Sequence, residues 1–212
     1  FEMNDHATGR PIKALATDPY SVQSAAFTDS NDLVLAYTRF YHLVRHFRPG
    51  FQRVLLLGGA GYSFPKEYLR TYPDATINVA EIDPGMTEIA RQHFWLRDDP
   101  RLRILHQDGR MVVNEAVTGT YDALLMDAFG SLFSVPTHLT TLEAVRGFHR
   151  ILADDGVVIF NLGSAISGDA SRFLQAELAT YREVFPTVLA FKVNAAYSDE
   201  RLQNIVVVAL KS

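Results

Sequence analysis

Arg53-Val54-Leu55-Leu56-Leu57-Gly58-Gly59-Ala60-Gly61-Tyr62, followed about twenty residues later by Val79-Ala80-Glu81-Ile82-Asp83, decides how this chain is read. An apolar run ends in a glycine turn, a helix-like segment follows, and a second apolar run ends in a carboxylate. In an α/β sheet that order holds a nucleoside. The glycines let the backbone approach the ligand closely, and the carboxylate at the tip of the next strand accepts hydrogen bonds from ribose hydroxyls.

Outward from that stretch, strand-like runs alternate with amphipathic segments. The runs are Val54–Leu57, Thr76–Ile82, Leu102–Gln107, Tyr121–Asp127, Val157–Leu162, Thr187–Val193 and Ile205–Leu210. The first, fourth and fifth are almost wholly apolar, as central parallel strands covered on both faces must be. Helices are predicted over Phe64–Tyr72, Gly85–Phe94, Arg110–Ala116, Thr141–Leu152 and Ala170–Phe185, with Pro84 suited to a first helical position. Only a loop, Asn194–Gln203, separates the last two strands, so they form an antiparallel pair. The fold expected is α/β: a doubly wound, seven-stranded, mostly parallel sheet with an antiparallel terminal hairpin. Residues 1–48 are read as a short N-terminal β/helical extension and 49–212 as the nucleoside-binding catalytic domain. Within the extension, Tyr20–Phe27 is a short extended candidate. Asp32–Arg48 reads as an α-helix, with Leu33, Tyr37, Phe40, Tyr41, Val44 and Phe47 on one packing face.

Composition narrows the classes. The chain has 212 residues, 48% hydrophobic and 21% charged, enough for a full core in a globular protein. A net charge of -4 leaves no basic footprint, so no nucleic-acid partner is expected. The absence of cysteine excludes disulfides, thiolate metal sites and cysteine nucleophiles. No apolar run reaches the roughly 18 residues of a membrane span, so no membrane contact is expected. The chain begins at Phe1 with no signal-peptide pattern and is read as an excised fragment. The expected compartment is cytoplasmic, alone or as a soluble part of a larger or membrane-anchored parent.

Three carboxylates end successive strands: Glu81, Asp108 (in Asp108-Gly109) and Asp127. Ligands of open α/β sheets bind at the carboxyl ends of the strands beside the first strand, so all three should face one crevice with Gly58–Gly61. Any one of them alone reads as a helix cap or turn former; three in register beside a glycine turn read as a site.

With these residues in view, the chain resembles the spermidine synthase (aminopropyltransferase) family, within the class I S-adenosylmethionine-dependent methyltransferase fold. The resemblance rests on Val22-Gln23-Ser24, Leu57–Gly61, Glu81-Ile82-Asp83, Gln107-Asp108-Gly109-Arg110 and Tyr121–Asp127, and spans most of the chain from about residue 20. It implies S-adenosylmethionine or its decarboxylated form as co-substrate, bound by Gln23, Gly58, Gly59, Gly61, Glu81, Ile82, Asp108 and Gly109. It gives Glu81 the ribose, Asp108 the adenine amino group, and Asp127 the proton of an attacking amine. It places Tyr197 in the polyamine pocket, implies a polyamine or other amine acceptor, and favours a homodimer. No metal is implied, because a sulfonium is already an activated leaving group.

The sequence also departs from the family. Gly61 stands where the family's glycine turn carries an Asp, Gly130 replaces the second Asp of a D-x-x-D loop, and Tyr37-Thr38-Arg39 replaces a Y-[HQ]-E signature. The N-terminal β-domain reads as little more than one strand. Methyl transfer from S-adenosylmethionine, or a non-catalytic nucleoside-binding module, are the alternatives; a nicotinamide dehydrogenase lacks its third glycine at Phe64.

Other residues are weighed individually. His138 and Tyr37 are candidate substrate contacts, and Phe129 with Phe133 is a candidate apolar lid. His42, His46, His93, His106 and His149 form no metal-like group. The i,i+4 pair His42 and His46 lacks a carboxylate in its own helix. Trp95, at a helix end, is expected to pack.

Overall fold

The computed structural model describes residues 1–16, 22–129 and 135–212. The large sheet has seven strands: β4 (Arg53–Leu57), β5 (Thr76–Ala80), β6 (Leu102–Leu105), β7 (Tyr121–Met126), β8 (Leu152–Ser164), β9 (Thr187–Lys192) and β10 (Gln203–Leu210). Their order is β6-β5-β4-β7-β8-β10-β9. The first five positions pair in parallel, and β10 runs antiparallel to both β8 and β9. This is the doubly wound sheet with a terminal hairpin that the alternation of apolar runs predicts. All six residues of β7 are buried, as a strand covered on both faces requires.

Helices fill the two faces. On one lie α4 (Gly109–Glu115), α5 (Leu142–Ile151) and α6 (Arg172–Arg182), burying Val113, Phe148 and Tyr181 against Leu124, Phe160 and Val207. On the other lie α1 (Val44–Phe47), α2 (Ser63–Thr71) and α3 (Pro84–His93), burying Val44, Tyr68 and Ala90 against Leu56, Val79 and Ile159. Each fully buried large side chain contributes roughly 1.5–3 kcal/mol of transfer free energy. The starts of β4 and β7 are tied by buried Asp122, which accepts from the backbone N–H of Gln52 (2.8 Å) and Arg53 (2.9 Å). Among the described residues, no helix is long and apolar enough to cross a membrane.

The N-terminal region differs from its sequence reading in two ways. It holds a three-stranded antiparallel sheet, β1 (Glu2–Asn4), β2 (Pro11–Leu15) and β3 (Ser24–Phe27), rather than a single strand. β1 and β2 are short and polar at alternate positions, so they carry little hydrophobic signal of their own. Asp32–Arg48 is also not one α-helix. Leu33 bridges Ala26 in extended form, Ala36–Leu43 is a 3₁₀-helix, and only Val44–Phe47 is α. The buried residues Thr38, Tyr41 and Val44 recur every three positions, the 3₁₀ period rather than 3.6. Thr38 fixes the first tight turn: its backbone N–H (3.1 Å) and its Oγ1 (2.6 Å) both donate to the Leu35 carbonyl. Tyr37, half-buried, packs edge-on against Tyr41 and also lines the cavity at the carboxyl ends of the strands.

Candidate active site

The glycine turn leaves the end of β4 beside the end of β7. Gly58 has φ +94, and a Cβ there would lie 2.5 Å from the Asp127 carbonyl oxygen, so only glycine fits. The chain then turns through Ala60 (φ 43) and Tyr62 (φ 53) into α2. Tyr62 is fully buried under the turn, with its hydroxyl 2.7 Å from Thr87 Oγ1. His106 Nε2 shares that oxygen at 3.0 Å.

Glu81 follows β5 and closes the turn from the other side. Its Oε2 accepts from the N–H of Gly59 (2.9 Å) and Ala60 (3.0 Å), and its Oε1 from that of Asp83 (3.0 Å). Asp83 itself caps α3, accepting from Gly85 N. Asp108 caps α4 through Arg110 N (2.7 Å), while its Oδ2 lies 3.0 Å from His138 Nε2. Asp127 follows β7. Its Oδ2 accepts from the Tyr37 hydroxyl (3.0 Å), and its Oδ1 is shut from solvent with no hydrogen-bond partner among the described residues. Burial pushes the Asp127 carboxyl up to about 6, against the hydroxyls of Tyr37 and Tyr41 and the Asn161 amide, which favour the ionised form.

These groups line one cavity of about 650 Å³ at the carboxyl ends of the strands. Of the residues singled out from sequence, Gln23, Tyr37, Gly58, Gly59 and Glu81 line it, as do Ile82, Asp108, Gly109, Asp127 and His138. Gly61 and Tyr197 do not. A Cβ at Gly61 would lie 2.6 Å from Ser24 Oγ and 3.2 Å from Phe94, so that position packs against β3 rather than facing the cavity. Tyr197 sits in the β9–β10 loop with the Arg201 guanidinium 3.7 Å above its ring. Phe129 lines the cavity; Gly130 and Phe133 lie outside the described residues.

The structure also places Arg39 and His42, and it corrects the reading of Trp95. Arg39 is turned away from the cavity, donating from Nε (3.2 Å) and Nη2 (2.8 Å) to the Leu33 carbonyl. His42 does meet a carboxylate, but from α2: its Nε2 is 2.8 Å from Glu67 Oε2, and its Nδ1 is 2.7 Å from the Tyr72 hydroxyl. Trp95 is 46% exposed, not packed; it lies two residues past α3 with φ 57, and the ammonium groups of Lys13 and Lys66 stand 5.2 and 5.6 Å from its ring.

Sequence reasoning missed Asn161 on β8 and Asn204 on β10, which line the cavity beside Asp127. The signal was present: Asn161 is the one polar residue in the apolar run Val157–Leu162.

Comparison with known proteins agrees with this architecture. The profile of the spermine/spermidine synthase domain matches residues 35–200. The chain is 30% identical over 193 residues to the polyamine aminopropyltransferase of Vibrio vulnificus, covering 89% of this chain and 62% of that protein. It therefore spans less than two thirds of that relative's length. A probable spermidine synthase from Corynebacterium glutamicum superposes with a TM-score of 0.78 at 24% identity, over 95% of this chain and 77% of that one. Human methyltransferase-like protein 13, solved in complex with SAH, superposes at 0.62 with 22% identity, over 82% and 77%. At these identities the superpositions establish the methyltransferase-like fold, while the profile, matched over most of the chain, establishes more: this chain belongs to the spermine/spermidine synthase family.

Proposed function

We propose that this chain binds a nucleoside sulfonium, decarboxylated S-adenosylmethionine, and transfers its aminopropyl group to an amine of a polyamine, with Asp127 as the base. One observation carries the reading: a buried carboxylate, with one oxygen unpartnered among the described residues, stands in a cavity whose charged lining is acidic. The described lining includes Glu81, Asp83, Asp108 and Asp127 and no lysine or arginine. Such a cavity favours a cationic ligand, and both a sulfonium and an alkylammonium are cations.

The residues fit the donor. Gly58 and Gly59 leave room for close approach, and Glu81 stands at the β5 tip to accept from a ribose. Ile82 is 67% exposed at the cavity wall, an apolar surface awaiting a flat ring. The donor supplies an electrophilic carbon bonded to positively charged sulfur. A protonated amine has no lone pair, so its proton must leave first. A carboxyl titrating at about 6 is about nine-tenths ionised at pH 7 and accepts that proton. The amine nitrogen then bonds to the carbon, the carbon–sulfur bond breaks, and a neutral nucleoside thioether leaves.

A second reading is methyl transfer from S-adenosylmethionine. The sequence of the glycine turn favours it: Gly58-Gly59-Ala60-Gly61 carries no carboxylate to stand against the donor's own carboxylate. Calorimetric titration with each donor under matched conditions decides between them. Tighter binding of the decarboxylated donor supports aminopropyl transfer, tighter binding of the intact donor supports methylation, and binding of neither refutes both.

A further inference from the structure

The two oxygens of Asp127 have unequal surroundings. Tyr37 donates to Oδ2, whereas Oδ1 is shut from solvent and unpartnered among the described residues. The Nδ2 of Asn161, a residue only 2% exposed, is shut off and unpartnered in the same way. Strand register brings the two side chains together. Met126 on β7 is aligned with Phe160 on β8, so the next step sets Asp127 beside Asn161. Across β8, Asn161 is aligned with Val206 of antiparallel β10, which makes Asn204 its diagonal neighbour on the same face. Asn204 Nδ2 donates to Asn161 Oδ1 at 3.0 Å.

A carboxamide whose oxygen is held on one side presents its N–H groups on the other. Asn161 therefore offers the carboxyl of Asp127 a donor, which supports the ionised form, and cannot offer it an oxygen, which would oppose that form. We infer that Asn204 and Asn161 form a positioning relay that sets the ionisation of Asp127. Asn204 fixes the amide, and the amide acts on the carboxyl. The other polar groups on that carboxyl are the hydroxyls of Tyr37 and Tyr41, from the 3₁₀-helix. Glu81, Asp108 and His138 line the same cavity from β5, α4 and the loop after β7.

The meaning of this relay for catalysis rests on Asp127 acting as the base, but its physical test does not. In the full chain carrying ¹³C-labelled aspartate, the Asp127 carboxyl is titrated by NMR without donor or acceptor and assigned through Asp127→Asn. The midpoint is expected near 6 in the parent protein. Asn161→Leu, which keeps the shape and removes the donor, should raise it by about one unit. Asn204→Leu, at a half-buried site, should raise it by less, because the amide is then free to turn. Asn204→Gln, which keeps a donor, should restore part of the shift.

An unchanged midpoint in Asn161→Leu overturns the inference. If that variant does not fold, an unchanged midpoint in Asn204→Leu overturns it instead. The midpoints move or stay whether or not the chain transfers anything. Shifted midpoints with no turnover would reject the proposed function and leave the relay standing. In the active protein, the acidic limb of kcat/KM should move by the same amount.

Discussion

Replacing Tyr37 by Phe removes one hydroxyl and leaves the ring. That hydroxyl donates to Asp127 Oδ2 at 3.0 Å in a part-buried setting. A hydrogen bond to an ionised group is worth about 1.5–3 kcal/mol, equivalent to about 1–2 pKa units of the acceptor. Burial already holds the Asp127 carboxyl at about 6, so Tyr37→Phe should carry it to about 7–8. At pH 7 the ionised fraction would drop from about nine-tenths to between about half and a tenth. Transfer at pH 7 should therefore fall about two- to tenfold and recover by about pH 9. The assay is the pH dependence of kcat/KM, which reports the free enzyme, with donor and amine acceptor each varied. An acidic limb that stays near pH 6 while the rate falls equally at every pH would refute the reasoning. Tyr37 would then act by shape or by touching substrate, not through Asp127.

Three further outcomes follow from the same physics. The Asp127 carboxyl is raised from 3.8 to about 6 on folding, so its ionisation removes stability as pH rises from about 4 to about 6. Asp127→Asn should then be about 2–3 kcal/mol more stable than the parent at pH 8 by chemical denaturation, with the gain gone below about pH 4. On α6, Glu177 is 4% exposed and burial raises its carboxyl from 4.5 to about 7. It too loses stability between about pH 4.5 and 7, so Glu177→Gln should gain about 2–3 kcal/mol above pH 7 and nothing below pH 4, with transfer activity untouched. Gly58→Ala sets a Cβ 2.5 Å from the Asp127 carbonyl at φ +94. It should cost more than about 2 kcal/mol and weaken donor binding, read by melting and calorimetry on one sample.

The large sheet was legible because its central strands are almost wholly apolar and its strands alternate with amphipathic segments, a pattern that survives without tertiary context. Glu81, Asp108 and Asp127 were legible for the same reason: each ends such a strand, and topology alone sends those ends to one edge. What the sequence obscured was set by packing. The stripe from Leu33 to Phe47 fits a 3.6-residue period on paper, but Thr38 caps Leu35 and Leu33 bridges Ala26, which tightens the segment into a 3₁₀-helix. Gly61 looked like part of the donor turn, yet its Cα faces Ser24 of β3, a contact between distant segments that local pattern does not show. Arg39, where the family's signature carries a carboxylate, caps the Leu33 carbonyl, a partner that only the folded chain reveals. Asn161 was hidden by its apolar neighbours, and its partner Asn204 becomes meaningful only once β10 is known to lie beside β8.

The most direct test of the account is product analysis. The chain is incubated at pH 8 with decarboxylated S-adenosylmethionine and a polyamine, beside the Asp127→Asn variant, and both are read by mass spectrometry. The account predicts an aminopropylated polyamine and an equal amount of nucleoside thioether from the parent, and neither from the variant, which still binds the donor. Equal product from the two proteins would contradict Asp127 as the base. No product from the parent, with methylated amine appearing when intact S-adenosylmethionine is supplied, would contradict aminopropyl transfer itself.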